Sequence, residues 1–327
     1  MKLNIHQIRD CARGAARVEQ VGENIALRRF TARQEEMYKN RDKDFYSKTF
    51  ATAGVNLVFT TDSPTLGLSV DITRRSSRNY YGLTVFADGR VVGRLDGQVE
   101  SVGATVNRTG SFCLGEGVKQ VKILLPWSAA ALLRYVELAP GSSFVPVKAE
   151  RTMLIFGDSI TQGYDAVHPE NAYAYRLAEY FKADARNKAI GGEVFWPELA
   201  LAADDLEPEV ISVAYGTNDW SKTDHQTLTD NSRAFFHNLR ACYPSARILV
   251  LAPIWRADKD LEKPAGQFSW VAEHLKTVAG EVGGQFISCY DFVPKEPAMF
   301  ADLRLHPNDE GFEHYADNLL KTLKTGE

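Results

Sequence analysis

The sequence predicts two domains of different class: an all-β sandwich, jelly-roll-like in pattern, over residues 1–147, then a three-layer α/β/α domain over 148–327. Three observations predict this. Short apolar runs with period-two alternation and turn signals fill the first half, with hardly any helical period. Strands and amphipathic helices alternate in the second half, which implies a parallel sheet covered on both faces. The character changes at Pro140-Gly141-Ser142-Ser143, and 327 residues suit two domains of roughly 150 residues each.

In the first half, Val55, Leu57 and Phe59 alternate with their neighbours, as do Leu66, Leu68, Val70 and Ile72. Asp88-Gly89 between Leu83–Ala87 and Arg90–Val92 signals a hairpin turn. Val121–Leu125 closes at Pro126, and a strand follows near Tyr135 to Leu138. In the second half, 152–156, 185–190, 209–214, 247–252 and 285–289 read as five strands. Between and after them, three helical faces stand out: Tyr173/Leu177/Tyr180/Phe181, Phe268/Val271/Leu275/Val278, and Phe312/Tyr315/Ala316/Leu319/Leu320/Leu323.

Composition excludes several classes. Hydrophobic residues make up 44% and charged residues 24%, an ordinary globular mixture. A net charge of −4 argues against a nucleic-acid partner. The charge is unevenly spread: 20 basic against 14 acidic residues in 1–147, and 18 against 28 after it. No apolar run approaches the roughly 20 residues of a membrane span, and the first residues lack an apolar signal core. Cys11, Cys113, Cys242 and Cys289 show no metal-like or disulfide spacing, so the expected setting is cytoplasmic with free thiols. The seven histidines form no metal-like cluster with other ligands.

In a parallel α/β sheet, sites gather at the carboxyl ends of the strands. Read in order, those ends carry Gly157-Asp158-Ser159-Ile160-Thr161-Gln162-Gly163, then Asn187 through Gly191-Gly192, then Gly216-Thr217-Asn218-Asp219. Before the last helix comes Asp302-Leu303-Arg304-Leu305-His306-Pro307-Asn308. These four blocks, over roughly 151–325, resemble the SGNH (or GDSL) hydrolase superfamily. A lone Gly-Asp-Ser is common; the four blocks in order are specific. No G-x-S-x-G elbow is present, which sets aside the ordinary α/β-hydrolase reading.

A serine hydroxyl attacks only when an adjacent base takes its proton. The resemblance implies Ser159 as nucleophile, His306 as base, and an oxyanion hole from the Ser159 amide, the Gly192 amide and the Asn218 side chain. Either glycine of Gly191-Gly192 can serve, alignment on Asn187 favouring Gly192. The acid departs from the family pattern of D-x-x-H: position 303 is leucine and Asp302 lies four residues before the base. Asp302 is the favoured orienter, through a bend closing that reach, with a backbone carbonyl or Asp291 as alternatives. Asp158 and Asp219 read as structural residues holding loop amides.

Trp196, Trp220 and Trp255 follow strand ends and are candidates for a platform under a sugar ring, or for a hydrophobic roof. Arg256 is either an anion ligand or a salt-bridge partner, and Arg74-Arg75-Ser76-Ser77-Arg78 a solvated loop or an anion-binding lip. A β-sandwich ahead of such a hydrolase resembles carbohydrate esterase family two. The resemblance implies a serine ester hydrolase that removes a short acyl group, acetyl first, from a carbohydrate-like alcohol, without metal or organic cofactor. The expected partner is a small or oligosaccharide ester, with neither nucleic acid nor membrane. Two rivals are a lipolytic esterase or lysophospholipase of the same fold, and a catalytically weakened glycan-binding protein.

Overall fold

Leu66, Leu68, Val70 and Ile72, alternate residues of the strand Thr65–Arg74, all lie in one apolar core. That strand pairs antiparallel with Thr105–Cys113 on one side and Ala129–Leu138 on the other, and Asn24–Arg28 and Arg17–Val21 complete a five-stranded sheet. A second antiparallel sheet runs in the order Ala12–Arg13, Asn56–Thr61, Lys119–Leu124, Thr84–Ala87, Arg90–Arg94, with Val145–Pro146 also on Asn56–Thr61. Leu57, Phe59, Val85, Val121 and Ile123 from this sheet share the same core, so the two sheets form a sandwich.

The computed structural model describes residues 1–325, and these fall into two units. The first comprises Met1–Glu150 with Val167–Glu170, the second Arg151–Ala166 with Asn171 onward. The sandwich is not purely β. Three helices, Ile5–Cys11, Ala32–Arg41 and Lys43–Thr49, each start at a side-chain cap from Asn4, Thr31 and Asp42. Two of those caps are capping boxes, closed by Gln7 and Gln34. The segment Val167–Glu170 is a second departure from the sequence reading: Glu170 accepts from Thr84 Oγ1 and from Arg94 at 2.7 Å each, and His168 faces Asp96 at 3.2 Å.

The second unit carries a parallel sheet of five strands, labelled within this unit: β1 (Arg151–Gly157), β2 (Ala183–Asn187), β3 (Val210–Ala214), β4 (Arg247–Leu251) and β5 (Gln285–Ile287). Their spatial order is β2-β1-β3-β4-β5. The helices are α1 (Ser159–Gln162), α2 (Tyr173–Tyr180), α3 (Pro197–Leu201), α4 (Thr217–Lys222), α5 (His225–Cys242), α6 (Phe268–Glu281) and α7 (Asp309–Thr325). β1 shows why the sheet has helices on both faces. Met153 and Ile155 enter a core with Leu177 of α2 and Phe312, Leu319 and Leu323 of α7. Phe156, on the opposite face, meets Phe235 of α5 edge to face at 5.5 Å.

The strand order fixes where a ligand can enter. The chain steps from β1 outward to β2, then back across to β3, so the connections leaving β1 and β3 diverge. A crevice opens at the carboxyl ends of these two strands. Ser159 follows β1 and Asn218 follows β3.

Candidate active site

β1 ends in Gly157, where backbone from two segments meets. A Cβ there would lie 2.2 Å from Thr161 Oγ1 and 3.0 Å from the Ala214 carbonyl, so only glycine fits. The chain then turns sharply into α1. Asp158 caps it, accepting from the Ile160 amide at 3.0 Å, and Thr161 anchors it through a 2.7 Å bond to the Tyr173 hydroxyl. Ser159 is thereby held on the first helical residue, 5% exposed.

His306 reaches Ser159 from the loop before α7: its Nε2 lies 2.8 Å from Ser159 Oγ. Its Nδ1 lies 2.8 Å from Asp302 Oδ2. A carboxylate can only accept, so Nδ1 carries the proton and Nε2 is left as the acceptor of the serine O–H. The four-residue reach from Asp302 to His306 is closed by a tight loop. Asp302 Oδ1 accepts from the amides of Arg304 (3.0 Å), Leu305 (2.7 Å) and His306 (3.1 Å), while Leu303 takes a left-handed φ of 56°. Leu303 is pushed into solvent, 64% exposed. Burial raises the Asp302 carboxyl pKa, but the bond from His306 and the Leu305 and His306 amides outweigh it and hold the group well below the usual carboxylate range. Asp291 instead pairs with Lys295 at 2.6 Å.

The three expected oxyanion donors differ in how they are held. Asn218 Nδ2 gives one hydrogen to the Glu193 carbonyl at 3.0 Å, which fixes the amide plane and leaves its second hydrogen to point elsewhere. The Gly191 amide donates to Gln162 Oε1 at 2.8 Å and is thus engaged. Gly192, with a φ of 94° that favours glycine, has no acceptor for its amide among the described residues, and neither has Ser159. Gln162 thus occupies the amide of one of the two glycines, although its position inside the first block marked it only as part of a motif.

The profile of the GDSL-like lipase/acylhydrolase family matches residues 155–314, a span that begins within β1 and runs past His306. This chain carries a domain of the SGNH/GDSL hydrolase superfamily over residues 155–314. It is an enzyme of the acylhydrolase and acyltransferase type. Similar solved structures include the salicylyl-acyltransferase SsfX3 of a tetracycline biosynthetic pathway (19% identity, 96% of this chain and 94% of that one, TM-score 0.81). Another is a family two carbohydrate esterase from Clostridium thermocellum (16%, 84% and 93%, TM-score 0.65). A third is an acetyl xylan esterase from the rumen bacterium Butyrivibrio proteoclasticus (16%, 100% and 98%, TM-score 0.63). At these identities the likeness is one of fold. No curated protein sequence gives a significant match.

Around this hydrolase's crevice, two buried carboxyl groups have scaffold roles. Burial pushes Asp158 up to about 6, against the Ile160 amide and the His306 charge. Asp219 is pushed to about 7 by burial, although the Phe195 and Gly216 amides donate to it at 2.8 and 3.0 Å. Asp219 so ties the loop after β2 to the turn after β3.

The tryptophan platform needs correction. Trp220 is 0% exposed, its Nε1–H donates to the Gly266 carbonyl at 2.7 Å and its ring packs on Phe268. It has no face to offer a substrate. Trp255 is nearly as buried and packs on Phe300. Trp196, half-buried at the start of α3, is the one of the three with open surface. Arg256 is likewise no anion ligand: it is buried, pairs two-pronged with Asp258 (2.5 and 2.9 Å), donates to Thr217 and lies 4.7 Å over the Trp220 ring. Asp258 also accepts from Arg304 at 2.7 Å, and Ala257 donates to the Arg304 carbonyl. A clamp of Arg256, Asp258 and Arg304 thus fastens the loop carrying Asp302 and His306. In the sandwich unit, Arg74 spends its guanidinium on the carbonyls of Ser76, Ser77 and Glu100, so it is a loop brace rather than an anion lip.

Proposed function

We propose that this chain is a serine esterase that removes a short acyl group, acetyl first, from a carbohydrate-like alcohol through an acyl-enzyme. The observation that carries this reading is the unbroken chain from Ser159 Oγ to His306 Nε2, and from His306 Nδ1 to Asp302, at 2.8 Å each. Ser159 attacks the ester carbonyl as its proton passes to His306 Nε2. Asp302 holds the tautomer and stabilises the imidazolium. The Ser159 and Gly192 amides and the second Asn218 hydrogen receive the oxyanion, each such donor contributing roughly 2.7–4 kcal/mol in other serine hydrolases. His306 then protonates the departing alcohol, and a water it deprotonates releases the acid from Ser159.

The short-acyl, sugar-side specificity is supported by the two-unit layout shared with carbohydrate and xylan esterases, and by Trp196 as the open aromatic surface. Among the described residues no helix is long and apolar enough to cross a membrane, and all four cysteines are unpaired, which suits a reducing compartment. A second reading is favoured by the likeness to SsfX3: the acyl group passes to an alcohol instead of water.

One experiment separates the readings. Hydrolysis of p-nitrophenyl acetate, butyrate and octanoate is measured beside acetate release from acetylated xylo- and gluco-oligosaccharides, with and without free sugar acceptor. The proposal expects falling rates with chain length and free acetate as product. Preference for octanoate supports a lipolytic enzyme, transfer to the added sugar an acyltransferase, and no serine-dependent turnover a binding protein.

A further inference from the structure

The imidazole of His306 faces two carboxylates, and only one belongs to the triad. Asp165 Oδ2 lies 3.8 Å from His306 Nδ1, the nitrogen already bonded to Asp302. Asp165 is 5% exposed. Its backbone takes a φ of 73°, in the region where glycine is the residue of least strain. It sits six residues after Ser159, beyond the turn that closes α1 through the Gly163 and Tyr164 amides on the Ser159 carbonyl. Tyr164, its neighbour, places its ring 5.8 Å from the imidazole. The chain therefore keeps a buried carboxylate, on strained backbone, beside the one group in the crevice that becomes cationic during acyl transfer.

Resting on the triad reading above, we propose that Asp165 is a second positioning carboxylate for His306, sharing the Nδ1–H side of the imidazole with Asp302. At 3.8 Å its Oδ2 is beyond hydrogen-bond distance of His306 Nδ1. Its charge nevertheless favours the imidazolium, and closing the gap by about 1 Å would let it accept the Nδ1 proton directly. The geometry explains how an unusual acid spacing is tolerated. Asp302 sits in an exposed loop that depends on the left-handed Leu303, whereas Asp165 lies near the same nitrogen with its side chain only 5% exposed. If Asp302 swings away, the tautomer survives.

The test is a double-mutant cycle of Asp165→Asn and Asp302→Ala, read as kcat and KM on p-nitrophenyl acetate. Asparagine tolerates the left-handed backbone, keeps the side-chain shape, and replaces the charged acceptor by a neutral amide. Asp165→Asn alone is expected to lower kcat by roughly two- to five-fold with KM unchanged. Asp302→Ala alone should lose less than the roughly 10⁴-fold seen when a lone triad acid is removed. Together they should fall at least about ten-fold below the product of the single losses, a coupling typical of contacting residues. A residue that merely supports the fold would cost the same factor in both backgrounds, and additive losses overturn the proposal. Asp302→Ser, whose hydroxyl can still accept from the loop amides, replaces Asp302→Ala if the latter does not fold.

The downfield proton resonance of His306 Nδ1–H gives a readout independent of turnover. It should persist in Asp302→Ala and vanish in the double variant; loss in Asp302→Ala alone contradicts the proposal. Ser159→Ala separates the two levels. If it keeps full activity, the serine reading fails; if it is inactive while the cycle is additive, only the role of Asp165 fails.

Discussion

Asp258→Ala removes the centre of the clamp that fastens the His306 loop. Arg256 is 3% exposed and gives Asp258 two charge-assisted bonds, while the more open Arg304 gives it a third. Removing one partner of a buried ion pair usually costs about 3–5 kcal/mol, because the other charge is left uncompensated. Arg256 keeps its bonds to Thr217 at 2.9 and 3.0 Å and its place over the Trp220 ring, so the lower end, about 3 kcal/mol, is expected. With a urea dependence of about 2 kcal/mol per molar, the midpoint of the second unit falls by about 1.5 M. Four of the five tryptophans (Trp196, Trp220, Trp255 and Trp270) lie in that unit, so intrinsic fluorescence follows it. kcat should fall as well, because the loop that orients His306 has lost its fastening. Arg304→Ala, which breaks only the exposed arm, should cost about 0–1 kcal/mol. A loss below about 1 kcal/mol in Asp258→Ala would refute the reasoning, as would equal costs for the two variants.

Three further outcomes follow from the site. Asn218→Ala should lower kcat by about 10²–10³ with little change in KM, since the donor acts on the developing oxyanion; a raised KM at preserved kcat would assign Asn218 to ground-state binding. Trp220→Ala should destabilise the second unit by about 3–5 kcal/mol as a cavity-forming core change. Trp196→Ala should leave the urea midpoint nearly unchanged and raise KM for an acetylated oligosaccharide; the reverse pattern would restore Trp220 as a substrate platform. Acid should destabilise the clamp: burial raises the Asp258 carboxyl, but the bonds from Arg256 and Arg304 dominate and bring it to about 2. A carboxyl depressed in the folded state contributes fully above its unfolded pKa, near 4, and loses that contribution as pH falls towards 2. The difference in urea midpoint between wild type and Asp258→Ala should therefore shrink between pH 5 and pH 2 (roughly the titration range of the group); a constant difference would contradict the assignment.

The parts of the fold governed by local periodicity could be read in the chain. Leu66 to Ile72 alternate because one face of their strand is core, and β1 and β3 are continuous apolar runs because both faces are covered. The helices of the sandwich unit escaped because they are short or weakly apolar: Ile5–Cys11 is seven residues long and buries only Ile8 and Cys11, and Ala32–Arg41 buries only Gln34 and Tyr38. Their signal was in the caps, Asn4 with Gln7 and Thr31 with Gln34. At the site, Ser159, Asn218 and His306 stood out because each occupies a strand-end or pre-helix block, and Asp302 because a carboxylate must lie near the base. What stayed hidden depends on long-range pairing. Nothing local to Trp220 announces that Gly266 and Phe268 will enclose it, and Asp258 shows its role only beside Arg304. Asp165 carries no motif; its signal is a left-handed residue that is not glycine, visible only once the backbone is built.

The central claim is that Ser159 forms the acyl-enzyme. The direct measurement is acid quenching during turnover of p-nitrophenyl acetate, followed by peptide mass mapping of the wild type and Ser159→Ala. The account predicts an acetyl group on the peptide containing Ser159, placed on that residue by fragmentation, and neither adduct nor turnover in Ser159→Ala. Acetylation elsewhere, or hydrolysis that persists at the wild-type rate without the Ser159 hydroxyl, would contradict it.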